Sequence, residues 1–200
     1  MKKFIVTPEE QITEEIKKHS AKDKRETTAG KTKIRQGHVK IIKKYFPSVI
    51  SVLCIGCRDD SEVKDFIKAG FKCKGIDVAN ESKYIKKLDA HKIATEFEEN
   101  EFDLVYASHS LEHMYDIETI LKGIKFISKT GVFIVLPKGG MRNGSDPAEA
   151  NINHPAIFDV MVDNQIRDDN LSDFAILEPY KIKHRKLNKR DLEMAFKWSK

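Results

Sequence analysis

Residues 49–77 of the chain read VISVLCIGCRDDSEVKDFIKAGFKCKGID. The apolar run over 49–55 ends at a glycine, which is typical of a strand that is buried on both faces. An amphipathic segment over 60–69 follows and ends at Gly70, a residue that commonly terminates helices. A second apolar strand over 71–76 completes the unit. Strand, helix and strand in this order predict a parallel β-α-β arrangement.

The same alternation continues downstream of this unit. Residues 102–107 and 131–136 predict two further strands, separated by a helix over 117–127. A short helix over 81–88 and a weak strand at 88–89 are expected to precede them. We therefore predict an α/β, Rossmann-like fold, with helices on both faces of a mostly parallel sheet.

The two ends of the chain follow different patterns. Thr7-Pro8-Glu9-Glu10 predicts a helix start, because Pro suits the first helical position, and residues 20–33 are expected to form a loop. A second helix is predicted from Ile34 to Tyr45. We interpret residues 1–48 as a helical N-terminal lid or extension and 49–200 as one domain.

Beyond the last parallel strand the pattern breaks. Residues 138–155 contain several Gly and Pro residues and predict a long loop. A strand is expected within 174–182 and a closing helix over 188–198.

Composition limits the partners and the compartment. The 200 residues carry a net charge of +5, with the basic excess at 21–44 and 181–200. Interleaved acidic residues favour a solubilising surface, so a nucleic-acid partner is not expected. Three cysteines without framework spacing indicate a reducing compartment, and neither a signal peptide nor a membrane span is predicted. We expect a cytoplasmic protein; the composition does not indicate its oligomeric state.

Polar residues follow four of the predicted strands. Gly56 follows the first strand and lets a ligand approach the backbone, and Asp77 ends the second. An acid about 20 residues after such a glycine commonly accepts hydrogen bonds from ribose hydroxyls. Asp89 follows the third strand, where it either contacts a ligand or caps a helix. Ser108 and His109 follow the fourth strand.

Two histidines in the segment 108–113 (SHSLEH) permit several interpretations. His109 and His113 are four residues apart and could share a helix face as zinc ligands, with Asp146 or His154 as a third. The favoured interpretations are a substrate-facing base or the lining of a polar pocket. We predict no metal site.

Taken together, residues 52–140 resemble the class I S-adenosylmethionine-dependent methyltransferases, in particular small-molecule enzymes with a Leu-Glu-His segment after the fourth strand. The matching segments, in the order and spacing of that family, are VLCIGCRDD (52–60), GID (75–77), LDA (88–90), FDLVYASHSLEHMYD (102–116) and GVFIVLPKGG (131–140). The resemblance implies S-adenosylmethionine as the cofactor.

The resemblance also implies roles for the matched residues. The first turn would hold the methionine part of the cofactor, the acid after strand two its ribose, and the segment after strand three its adenine. The implied cofactor-binding residues are Cys54, Gly56, Cys57, Arg58, Asp77, Val78, Asp89, Ala90, Ser108 and His109. The implied catalytic residues are His113, as first choice for a general base, and His109.

The first turn departs from the pattern of this family. That pattern is acid-x-Gly-x-Gly-x-Gly, whereas Cys54 replaces the acid, Arg58 the second glycine and Asp60 the third. Arg58 is expected to pair with Glu62 or with the cofactor's carboxylate, as in a subset of the family with Gly-x-Arg and a later Glu. The Cys54–Cys57 spacing is not expected to support redox chemistry, because its first cysteine belongs to a strand.

We therefore predict methyl transfer to a small-molecule or sugar-type acceptor, on oxygen or nitrogen. The polar loop after the fifth strand is expected to border the acceptor, through Arg142, Asp146, Asn153 and His154. The alternative is a catalytically weak or inactive relative that binds nucleic acid or a protein partner. A nicotinamide-dependent oxidoreductase is not favoured, because GCRDDS lacks the pattern Gly-x-Gly-x-x-Gly.

Overall fold

A computed structural model of the protein describes residues 28–111, 114, 116–137, 174–177 and 191–198, with the helical positions Glu9, Ile12, Thr13 and Ile16. The strands of this part are β1 (Ser51–Ile55), β2 (Lys72–Asp77), β3 (Ile85–Lys87), β4 (Phe102–Ser108), β5 (Ser128–Pro137), β6 (Phe174–Leu177) and β7 (Asp191–Trp198). They form one sheet in the order β3-β2-β1-β4-β5-β7-β6. The first five are parallel, and β7 pairs antiparallel with β5 and β6.

Helices cover both faces of the sheet. They are α1 (Thr28–Tyr45), α2 (Asp60–Lys68), a 3₁₀ turn (Ala90–Lys92), α3 (Ile93–Glu96) and α4 (Ile117–Ile127). Side chains of α1 and α2 pack in one hydrophobic core, and those of the 3₁₀ turn, α3 and α4 pack in the other. The predicted Rossmann-like fold is confirmed. None of the described helices combines the length and apolar character that a membrane span requires.

Helix α1 packs in the hydrophobic core that it shares with α2. Ile41 and Ile42 are 2% and 0% exposed, and the buried His38 places its Nδ1 atom 2.7 Å from the hydroxyl of Tyr106 in β4. The sheet thus holds α1 by apolar packing and by one internal hydrogen bond. Its role as a lid stays a prediction.

The strand order reverses at β1, which lies between β2 and β4. In open parallel sheets, ligands bind outside the carboxyl ends of the strands at such a reversal. The fold therefore places the turns after β1, β2 and β4 around one crevice.

The predicted loop over 20–33 is wrong for its last six residues. Helix α1 begins at Thr28, so 28–33 are helical, whereas 20–27 lie outside the described residues. Apolar periodicity did not indicate this part of the helix because, apart from Ala29, it contains no apolar residue before Ile34. The Arg35 Nη2 atom donates to Thr32 and, on α2, to Ser61.

The predicted helix over 81–88 and strand at 88–89 are also wrong. The third strand is Ile85–Lys87, paired with Gly75–Asp77 of β2. Ser82 makes a turn before this strand, since its Oγ accepts hydrogen bonds from the backbone N–H groups of Tyr84 and Ile85. A three-residue edge strand is too short to show a pattern.

The predicted closing helix over 188–198 is wrong for 191–198, which form a strand, whereas 188–190 lie outside the described residues. Asp191–Trp198 pairs with β5 from Gly131 to Pro137. The sequence contains a signal for this strand: apolar residues alternate at 192, 194, 196 and 198, which is the two-residue period of β structure. The strand within 174–182 is confirmed at Phe174–Leu177, and 178–182 lie outside the described residues.

Asp103 joins the amino ends of β1 and β4. Its Oδ2 accepts hydrogen bonds of 2.8 Å from the N–H groups of Ile50 and of Ser51. Burial acts to raise the pKa of Asp103, but these hydrogen bonds and Lys129 hold it below its ordinary value.

We expect Asp103→Asn to lower the free energy of unfolding by about 1 kcal/mol at pH 7. Because the folded-state pKa is depressed, this stabilisation is present above the unfolded pKa of about 3.9 and is lost as the pH falls through the folded value. Urea unfolding of both proteins at a series of pH values measures it. If the difference in unfolding free energy between wild type and Asp103→Asn stays constant down to a pH of about 2.5, the pKa of Asp103 is not depressed as described.

Candidate active site

The turn after β1 is closed by contacts from two neighbouring strands. Gly56 has a φ of +75°, a conformation that favours glycine. The N–H groups of Gly56 and Cys57 both donate to the carbonyl of Ile76 in β2. From the other side, the hydroxyl of Ser110 donates to the carbonyl of Ile55 at 2.9 Å. A Cβ atom built on Gly56 would lie 2.4 Å from the Cβ of Ser110, so the turn accepts only glycine here.

Asp77 lies at the end of β2, as predicted, and is 2% exposed. Its Oδ1 accepts 2.8 Å hydrogen bonds from the N–H groups of Ala79 and Asn80. The Asn80 side chain also donates to Oδ1 and to the carbonyl of Arg58. Asn80 thus links the acid of β2 to the turn after β1. Val78, next to Asp77, is half-buried.

Asp89 is part of a hydrogen-bonded chain that the sequence did not indicate. The Oδ1 atom of Asp89 accepts a hydrogen bond from the backbone N–H of His91, as the helix-capping interpretation expects. The same Oδ1 atom lies 2.6 Å from Nδ1 of the His91 ring. The Nε2 atom of His91 accepts from the N–H of Asp116, the N-cap of α4. Nδ1 therefore carries the proton and donates to Asp89. Ala90 is buried beside this chain.

The segment after β4 brings Ser108 and His109 to the crevice. His109 is exposed and has a φ of +53°, which is uncommon for a residue with a side chain and is often found at functional sites. Its N–H donates to the carbonyl of Val135 in β5, which fixes the backbone there. His113 lies outside the described residues, as do Arg142, Asp146, Asn153 and His154.

Beneath the first turn lies a buried group of thiols and one carboxyl. The Sγ of Cys57 donates to a Glu62 carboxylate oxygen at 3.4 Å and also lies 3.3 Å from the carbonyl oxygen of Cys54. Burial raises the pKa of Glu62 to about 7, while the charge of Arg35 acts to lower it. Burial also raises the pKa of Cys57 to about 12. The described contact of Glu62 is therefore with Cys57, whereas Arg58 was its expected partner.

An open polar groove of about 420 Å³ runs along the outer side of the same turn. Its lining residues are Arg58, Asp59, Asp60, Ser61, Lys64, Asn80, Glu81, Ser82 and Ile85. Asp59 caps α2, since its carboxylate accepts from the N–H of Ser61. The exposed Arg58 thus faces the start of a helix and the turn after β2, where anionic and hydroxyl groups of a ligand can both be bound.

Three residues of this region escaped the sequence interpretation. Ser110 packs on the first glycine, Asn80 links two turns, and His91 connects Asp89 to α4. Each acts through a contact between distant segments. A serine, an asparagine or a histidine in a loop gives no periodic or spacing signal for such a contact.

The fold and the strand-end residues together define a Rossmann-like methyltransferase architecture. A protein family described as "Methyltransferase domain" matches residues 21–138, which is more than half of the chain. The chain belongs to this methyltransferase-domain family. No curated protein matches its sequence.

Solved structures with the same fold are distant in sequence. The 1,6-didemethyltoxoflavin-N1-methyltransferase of Burkholderia thailandensis, solved with S-adenosylhomocysteine, has a TM-score of 0.69 at 12% identity, over 100% of this chain and 94% of that one. A SAM-dependent methyltransferase of Aquifex aeolicus has 0.57 at 15%, over 98% and 100%. The N-methyltransferase NodS of Bradyrhizobium japonicum, also solved with S-adenosylhomocysteine, has 0.54 at 13%, over 95% and 100%.

Proposed function

We propose that this methyltransferase takes its methyl group from S-adenosylmethionine and transfers it to oxygen or nitrogen of a small-molecule or sugar-type acceptor. The observation that carries the proposal is the position of Gly56 and Asp77. They lie at the ends of adjacent strands, where the strand order reverses, and the structure links their two turns through Asn80. The relatives solved with S-adenosylhomocysteine support the choice of cofactor.

The chemistry of the donor set fits this cofactor. The turn after β1 brings backbone atoms and the start of α2 to the crevice, which suits the carboxylate of the methionine part. Asp77 supplies a carboxylate for hydroxyl groups, and the 89–90 segment supplies a carboxylate and backbone groups for the base. The remaining residues that we assign to the cofactor are Cys54, Cys57, Arg58, Val78, Ser108 and His109.

S-Adenosylmethionine supplies an electrophilic methyl group, so the protein's main task is to hold the acceptor in line with it. A base is needed only where the acceptor atom must lose a proton. We assign that role to His113, with His109 as the second choice. The fixed backbone of His109 keeps its side chain at the carboxyl end of β4.

Calorimetric titration with S-adenosylhomocysteine tests the proposal. We expect Asp77→Asn to weaken binding about 10- to 100-fold, the loss expected for a charge-assisted hydrogen bond. Asparagine keeps one oxygen for the N–H groups of Ala79 and Asn80, so the turn itself is preserved. Asp103→Asn is the matched control. Asp103 also accepts backbone hydrogen bonds, but it lies at the amino ends of β1 and β4, away from the carboxyl ends that form the crevice.

Two results would contradict the proposal. Equal affinity in wild type and Asp77→Asn would mean that the crevice is misplaced. Absence of binding by the wild type at a ligand concentration of about 1 mM would favour the alternative, a relative that kept the fold without the cofactor. The loss of glycines in the first turn, at Arg58 and Asp60, is the observation that favours that alternative.

A further inference from the structure

All three cysteines of the chain converge at one place in the fold. Cys54 is in β1, Cys57 is in the turn that follows it, and Cys73 is in β2. The sulfur atoms of Cys54 and Cys73 are 3.5 Å apart, although the residues are 19 positions apart in sequence. The three thiols are free, with Cys54 and Cys57 buried and Cys73 half-buried.

Glu62 completes this thiol cluster from the first turn of α2. The sulfur atoms of Cys54 and Cys57 and a carboxylate oxygen of Glu62 all lie within 4.8 Å of one another. Buried cysteines alone are common as small apolar core residues. A carboxyl that accepts from a thiol is different, because a half-buried carboxyl loses part of its hydration and gains little from such a weak donor. Apolar packing therefore does not account for Glu62.

The distances in the cluster suit a tetrahedral ion. Zinc–sulfur bonds of about 2.3 Å place two ligand sulfurs roughly 3.8 Å apart. The pair Cys54–Cys73 is at 3.5 Å and the pair Cys57–Glu62 at 3.4 Å. Cys73 contacts Cys54 but lies outside the group of three whose ligand atoms are all within 4.8 Å of one another, so its side chain would have to move inward to bind the same ion. Gly75 leaves space for the sulfur of Cys57, since a Cβ atom there would lie 2.8 Å from it.

Positive charge lies near the cluster, although Arg35 already pairs with Asp65. Three thiolates and a carboxylate exceed the charge of one divalent ion by two. Arg35 and His109 both lie close enough to Glu62 for their charges to act on its carboxyl. A site of this composition favours thiophilic ions such as Zn²⁺ over Mg²⁺ or Ca²⁺, which prefer oxygen ligands.

We propose that Cys54, Cys57 and Glu62, with Cys73 as the fourth ligand, form a structural Zn²⁺ site beneath the turn after β1. The ion would join β1, β2 and α2 at the base of that turn. Its ligands differ from His109 and His113, the histidine pair considered from the sequence, where we predicted no metal. The ion would take the sulfur atoms of Cys54 and Cys57, so these two residues would contact the cofactor only through their backbone.

Titration of the reduced full-length protein with Co²⁺ tests the site, because Co²⁺ replaces Zn²⁺ and reports thiolate ligands by charge-transfer absorption in the near ultraviolet. We expect this absorption to saturate at one equivalent of Co²⁺ and to disappear on addition of Zn²⁺. Its intensity follows the number of thiolates, so Cys73→Ser should lower it by about a third. Glu62→Gln should keep the intensity and weaken Co²⁺ binding at least about tenfold.

Asp60→Asn is the matched control, because it removes a carboxylate of the same helix turn that interacts with Ser82 and Lys64 instead. It should bind Co²⁺ as the wild type does. Absence of the charge-transfer absorption in the wild type would overturn the site whether or not the variants fold. Full intensity in Cys73→Ser would overturn the assignment of the fourth ligand, and unchanged affinity in Glu62→Gln would overturn that of the carboxylate.

Discussion

Gly56→Ala is expected to lower the free energy of unfolding by about 3 kcal/mol and to abolish binding of S-adenosylhomocysteine. The new Cβ atom would lie 2.4 Å from the Cβ of Ser110, which is shorter than any normal contact. Overpacking of this kind costs about 1–3 kcal/mol. The φ of +75° adds a further 1–2 kcal/mol or so for a residue with a side chain. The turn after β1 must therefore move. Because this turn forms one side of the crevice, its movement also disrupts the binding site.

Two other glycines separate these contributions. Gly70 has a φ of +96° but no atom within 4 Å of its Cβ position, so Gly70→Ala should show only the conformational cost of about 1–2 kcal/mol. Gly37 is within α1 and also has open space. Gly37→Ala should therefore raise stability by up to about 1 kcal/mol. Urea unfolding of all three variants gives the comparison.

Ser110 provides the decisive variant. Ser110→Gly in the Gly56→Ala background removes the atom that the new methyl group meets, but it also removes the hydrogen bond to Ile55. Relative to Ser110→Gly alone, the double variant should therefore show only the conformational part of the Gly56→Ala loss. If Gly56→Ala is no more destabilised than Gly70→Ala, then Ser110 does not pack on the turn as described.

Strands β1, β4 and β5 were predictable because each contains a short, mostly apolar run; β1 is followed by a glycine, and β2 ends at an acid. Gly56 and Asp77 lie where the sequence placed them, since their position follows from strand ends and spacing alone. Asp89 was predictable only as one of two alternatives. The structure shows it as a helix cap bonded to His91, and its contact with a cofactor stays a prediction.

Most of the errors concern segments that are short or polar and therefore carry no periodic signal. The edge strand β3 has one buried residue, Ile85, and therefore no visible pattern. The first residues of α1, over 28–33, carry no apolar residue except Ala29 and so gave no helical signal. Strand β7 is different, because its two-residue alternation was present in the sequence and was misread as helical. Cys54 and Cys73 are close because β1 pairs with β2. The sequence predicts both strands but not the register of their pairing, so it could not predict this contact.

The buried ion pair between α1 and α2 provides the second large effect. The Nε of Arg35 donates to Oδ2 of Asp65 at 2.6 Å, and the side chains are only 9% and 8% exposed. Arg35 also donates to the hydroxyl of Ser61 at 3.1 Å. We expect Arg35→Met to lower the free energy of unfolding by about 3–5 kcal/mol, because it leaves the Asp65 carboxylate buried without its cation.

Lys64→Met is the matched control for this loss. Lys64 pairs with Asp60 across one helix turn, at 3.1 Å and with 46% and 29% of the side chains exposed. Such an exposed pair contributes about 0.5 kcal/mol or less, so the control should unfold at nearly the wild-type urea concentration. A loss in Arg35→Met as small as in Lys64→Met would contradict the burial of the pair.

The double variant Arg35→Met/Asp65→Leu distinguishes two reasons for the loss. If the cost comes from the unpaired carboxylate, replacing both partners by apolar residues should recover most of it. If the attraction between the charges holds α1 in place, the double variant should stay as unstable as the single one. We expect recovery, because Ile41 and Ile42 are buried in the core that α1 shares with α2 and keep α1 on the sheet without the ion pair. The pair then orients α1 against α2 at Arg35, Ser61 and Asp65, whereas apolar burial provides the stability.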